Sequence, residues 1–204
     1  MNLDRLEEFE ERFFMMYPEG FDSFELVSAR KKHNIEKISK YVRDVLSREN
    51  LERGLMAVED IIKVVSKSSM VSVFEKMKFR DYVRAFDEFQ KLELIDAVIE
   101  NVHGDEEKGF NALVRLLSRY KIAKWPILTV FRCYYNLNYD ILVKPTTVKN
   151  VIRNLELDIS YSPTATYKFY NQYRTLINQM KDHVDPRLSP TNPAFSGFLM
   201  MTMN

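Results

Sequence analysis

Residues 50–65 read NLERGLMAVEDIIKVV, with Leu51, Leu55, Val58, Ile61, Ile62 and Val65 recurring at spacings of three and four. That is the period of a helix with one face turned inward. Asn50 stands where a capping residue is expected. The stretch lies within 107 proline-free residues between Pro18 and Pro126, a segment rich in Leu, Glu, Lys and Arg. Such composition reads as successive helices. Upstream, Leu3, Leu6, Phe9 and Phe13 form a first stripe that stops near Tyr17-Pro18-Glu19-Gly20, and Asn34 is the expected cap of a helix carrying Ile35, Ile38, Val42 and Val45.

Downstream, helices are expected over roughly 71–86, 88–102, 109–119, from Pro126 to about Leu137, and over 147–155. Thr164 is the expected cap of a long helix reaching about His183, and Phe195 to Met203 reads as a short docking helix. Only Ile141-Leu142-Val143 is strand-like. The expected fold is an all-α, compact multi-helix bundle of about nine to eleven helices. It forms a single unit over 1–204, with an acidic lobe 1–104 and a basic lobe 105–204 as the alternative arrangement.

The totals narrow the class. With 204 residues, 46% of them hydrophobic and 29% charged, the chain can bury one sizeable core and keep a charged surface. No apolar run reaches the roughly 18–20 residues that a membrane span requires. The opening MNLDRLEEFEERFF has acids where a targeting segment would have bases. A cytoplasmic protein is expected. One cysteine, Cys133, excludes an internal disulfide, and His33, His103 and His183 lack second ligands at helical spacing. No metal and no cofactor is expected.

Charge is unevenly spread. Residues 1–107 hold 17 Lys and Arg against 24 Asp and Glu, a net of −7, whereas residues 108–181 hold 12 against 3, a net of +9. The basic segment also contains 12 of the 26 aromatic residues. Basic side chains hold phosphates and exposed aromatic faces stack on unpaired bases. Two readings stay open: the segment binds nucleic acid, or it docks on the acidic half or on a partner chain.

The chain carries no phosphate-cradling glycine loop, no Gly-x-Ser-x-Gly elbow and no His-Glu-x-x-His. Its most informative stretch is Tyr120-Lys-Ile-Ala-Lys-Trp-Pro-Ile-Leu-Thr129, followed by a helix to Tyr135 and then by Leu142-Val-Lys-Pro-Thr-Thr-Val-Lys-Asn-Val151. This turn–helix–loop–helix order resembles the helix-hairpin-helix superfamily of DNA glycosylases over about residues 120–157. The resemblance implies an α-helical C-terminal half and a DNA partner rather than RNA. The departures are specific. Ile122 to Leu128 has no glycine, the family's catalytic aspartate falls on Pro145 (Lys144 or Thr146 in a shifted register), and its Schiff-base lysine falls on Leu128. The resemblance therefore implies binding without the standard glycosylase catalysis.

The chain as a whole resembles a group of uncharacterised bacterial proteins. The shared marks are Phe13-Phe14, Tyr17-Pro18-Glu19-Gly20-Phe21, Arg30-Lys31-Lys32-His33, Lys124-Trp125-Pro126, Lys144-Pro145-Thr146 and Ser196-Gly197-Phe198-Leu199-Met200. No activity follows from that likeness. The candidate nucleic-acid-binding residues are Lys121, Lys124, Trp125, Lys144, Thr146, Thr147 and Lys149. Lys144 stands before a helix start, where an ammonium group and free amides can hold one phosphate together. Trp125 is expected either to stack on a base or to plug a helix junction. Should the protein be an enzyme, Asp140 is the acid nearest that helix start.

Overall fold

A computed structural model describes residues 1–203. Twelve α-helices follow one another among them, with no strand. They are α1 (Leu3–Met16), α2 (Val27–His33), α3 (Ile35–Val45), α4 (Arg48–Leu51), α5 (Val58–Lys67), α6 (Val73–Ala85), α7 (Glu88–His103), α8 (Glu106–Ser118), α9 (Trp125–Tyr135), α10 (Pro145–Asn154), α11 (Tyr167–Lys181) and α12 (Asn192–Thr202). Short 3-10 turns sit at Gly20–Asp22, Phe24–Leu26, Gly54–Ala57 and Pro186–Leu188. None of these helices is long and apolar enough to cross a membrane.

Helix α9 is the hub. All its residues except Arg132 and Tyr135 are buried, as a helix that is apolar all round must be. It packs against α3, α5 and α7 from the acidic half and against α8 from the basic half. The two charge halves therefore share one continuous core. Helices α7 and α8 form the closest hairpin, and the first and last helices meet through Phe13 and Phe198, edge to face at 5.5 Å. Ser72 with Glu75 and Asp87 with Gln90 close reciprocal capping boxes at α6 and α7, which sets both start points.

Several local expectations need correction. The stripe of residues 51–65 is not one helix. Ser47, not Asn50, caps the short α4, and Gly54 at φ 65° turns the chain into a 3-10 segment before α5 begins at Val58. Leu55 and Met56 are consequently exposed. Asn34 caps nothing with its side chain; at φ 44° it ends α2 in the left-handed region, which asparagine tolerates better than most residues. Thr166 rather than Thr164 caps α11. Residues 141–143 form no strand; the Val143 amide donates instead to Thr129 Oγ1 at 3.0 Å.

Candidate anion-binding site at the start of helix α10

The expected binding residues differ in their exposure. Lys121 and Lys124 are exposed in the turn between α8 and α9. Trp125 is only 2% exposed; its indole donates to the Ser162 carbonyl at 2.9 Å and its ring lies against Phe110 and Phe169. It plugs a helix junction and offers no face to a base, which corrects the stacking expectation. Lys149 is exposed and holds its ammonium 5.1 Å from the Tyr161 ring centroid.

Pro145 occupies the first position of α10, where its missing N–H costs nothing. Lys144 is the cap residue but supplies no side-chain cap; the first helical bond runs from the Val148 amide to the Lys144 carbonyl at 2.9 Å. The Thr146 and Thr147 amides are left as open donors at the positive end of the helix. Thr146 is exposed, and Thr147 and Lys144 are half-buried. Among the described residues Lys144 enters no ion pair. Burial pushes its ammonium below the ordinary lysine value, opposed only by Cys133.

His33, at the end of α2, lies in the field of the same lysine. Burial lowers its imidazole first, then the charges of Lys144 and Lys32. Its Nδ1 is 2.8 Å from Ser69 Oγ. The adjacent Ser68 hydroxyl lies 3.2 Å from the Tyr134 hydroxyl. No carboxylate takes part in shifting either Lys144 or His33. A half-buried ammonium without an ion pair thus stands at the uncapped, positive end of α10, a combination that favours an anion. Cys133 is buried beneath this site, and burial pushes its thiol far above the ordinary range, so it is no nucleophile at neutral pH.

Asp140 is placed elsewhere and is fully engaged. Its side chain is 1% exposed. Its Oδ1 accepts from Arg132 Nε at 3.1 Å, Arg174 Nη1 at 2.5 Å and the Tyr170 hydroxyl at 3.0 Å, while Oδ2 lies 3.0 Å from Arg132 Nη2. Glu106 pairs with both arginines, at 2.6 Å to Arg174 and 3.3 Å to Arg132. Arg132 also donates to the Asn101 carbonyl, and Asn192 donates to the Asp140 carbonyl at 3.3 Å. Two carboxylates and two guanidiniums balance in charge. They tie α7, α8, α9, α11 and α12 together, with Asp140 Oδ2 held in the interior by its ion pair to Arg132 alone.

This clasp was not anticipated, although one signal for it existed. Arg132 interrupts the apolar run Val130 to Tyr134, and Arg174 stands four residues after Tyr170 on a buried helix face. A base in such a place demands an acid. Ser69 gave no comparable signal. Elsewhere in 108–181, Lys108 pairs with Glu100 and Arg119 with Glu93. The other eight of the 12 bases, Lys121, Lys124, Lys144 and Lys149 among them, have no acidic partner among the described residues. No group of three or more His, Cys, Asp or Glu could hold a metal ion among these residues. No protein-family model, curated protein or solved structure matches this chain.

Proposed function

We propose that this protein binds nucleic acid through the phosphate backbone, with DNA preferred to RNA, and that Lys144, His33 and the open amides of α10 hold one phosphate. The observation that carries this reading is the half-buried Lys144 at the start of α10, where no side chain caps the helix. Lys124, and Lys149 beside Tyr161, supply further phosphate contacts along the strand. The turn between α8 and α9 takes the place of the hairpin in the helix-hairpin-helix likeness. Because Asp140 is buried and its Oδ1 already accepts from two arginines and a tyrosine, binding is favoured over base excision.

Counterion release makes the reading quantitative. The logarithm of the association constant falls linearly with the logarithm of salt, by roughly 0.7–0.9 per phosphate contact. Titrating labelled duplex and single-stranded DNA across salt concentrations should give such a line. Lys144→Ala combined with Lys124→Ala should flatten it by about two contacts. Absence of any association with duplex DNA, single-stranded DNA or RNA at low salt would sink the proposal.

A further inference from the structure

Helix α6 buries Phe79 and Val83, with the Phe79 ring against Phe131, yet its outer side is not the polar face expected of a surface helix. Phe74 is 81% exposed, Met77 46% and Tyr82 42%. With Lys78, Asp81 and Ala85, also exposed, they fall within a stripe about 140° wide at 100° per residue. Tyr82 is backed by the Tyr120 ring at 5.6 Å, and Tyr120 is held by Gln90, so the stripe is supported from beneath. Singly scattered apolar residues need no explanation, whereas a supported apolar stripe along one helix does.

The order of residues along the stripe names its occupant. Reflected about the point between Phe79 and Arg80, the sequence is complementary to itself. Phe74 then stands opposite Ala85, a large ring over a small side chain. Met77 stands opposite Tyr82, a favourable sulfur–aromatic contact. Lys78 stands opposite Asp81, and the two-fold axis makes each contact twice. In the single chain Asp81 pairs with its exposed neighbour Arg80, at 2.8 Å, and feels the charge of Arg84, exposed interactions too weakly held to compete. A parallel arrangement would set Lys78 beside Lys78 and Asp81 beside Asp81.

From this pattern we infer that the outer face of α6 is a homodimer interface, in which α6 packs antiparallel against α6 of a second copy across a two-fold axis. The helices cross at the shallow angle of about 20° seen when such ridges and grooves interlock. One helix face is a small interface, so the dimer is reversible and forms in the micromolar range or above, about 10–200 μM. It is independent of the nucleic-acid reading, because no residue of α6 belongs to that site.

Sedimentation velocity of the full chain without nucleic acid, across that concentration range, tests it. The wild-type protein should pass from monomer to dimer. Lys78→Asp places two Asp–Asp contacts across the axis, and Asp81→Lys two Lys–Lys contacts; each variant alone should remain monomeric. Mixed in equal amounts, the two variants should form a heterodimer, because every charge then meets its opposite. The substitutions are on exposed positions, and circular dichroism should show unchanged helix content. A wild-type protein that stays monomeric would overturn the inference, as would reversal variants that still dimerise alone or a mixture that stays monomeric.

Discussion

Lys121 combines a strained backbone with a candidate ligand. The Ile122 amide bonds to the Leu117 carbonyl at 3.1 Å and the Lys121 amide to that of Ser118 at 3.0 Å. This is the helix C-terminal motif that normally puts glycine at the left-handed position. Here that position is a lysine, at φ 58°. Lys121→Gly should stabilise the fold by roughly 0.5–1 kcal/mol, the left-handed cost relieved less the entropy of glycine, seen as a higher urea midpoint. If Lys121 also holds a phosphate, the same variant should bind DNA more weakly, so stability and binding move in opposite directions. His33 gives the pH test. Its imidazole is depressed below the ordinary 6.5 by burial and then by Lys144 and Lys32. The folded state therefore favours the neutral ring, and the stability this confers is present above that ordinary value and lost as pH falls below it. His33→Gln should lose less melting temperature than the parent between about pH 7 and about pH 5. DNA affinity of the parent should rise over the same interval, because a bound phosphate favours the protonated ring.

Among the elements, the α7–α8 hairpin depends on one missing side chain. A Cβ at Gly109 would lie 2.1 Å from the Asn101 amide nitrogen and 2.4 Å from its Cα. Those are backbone atoms of the facing helix, and they cannot swing away. Gly109→Ala should therefore cost about 3 kcal/mol or more, at or beyond the upper end of overpacking penalties, with the loss measured by denaturant unfolding. The sequence places a helix around Gly109 through Phe110, Leu113, Leu116 and Leu117. It does not reveal that the glycine lies inside α8 as a point of helix–helix approach, because nothing local requires it there. Its φ is not in the left-handed region, so the requirement comes only from the facing helix. The discontinuity at Gly54 was legible in principle. A glycine within an apolar stripe signals a break, and the periodicity on either side masked it.

For the whole molecule, the net charge of each half misleads about where the charge sits. Arg132 and Arg174 are basic-segment residues that never reach solvent as free cations; Asp140 and Glu106 absorb them in the interior. Replacing one partner of a buried pair leaves the others uncompensated. Arg174→Met should destabilise by about 3–5 kcal/mol, measured by chemical denaturation at neutral pH. A variant that keeps full stability would show the clasp to be dispensable. The remaining unpaired lysines stay at the surface, and the proposed phosphate contacts draw on them.

Sequence alone determined the all-α class, most helix limits within a few residues and the charge split. These follow from short-range periodicity, proline placement and composition, which need no neighbour in space. It also brought out Lys144 and the uncapped start of α10, since a Lys-Pro pair before a helical run is a local signal. Tertiary structure decided the rest. It buried Trp125, put Asp140 at the centre of a clasp, joined the two charge halves around α9, and set His33 against Ser69 and in the field of Lys144. Those outcomes depend on which distant side chains share a low-dielectric interior, and a pairing between residues far apart in the chain leaves no imprint on the local pattern of either.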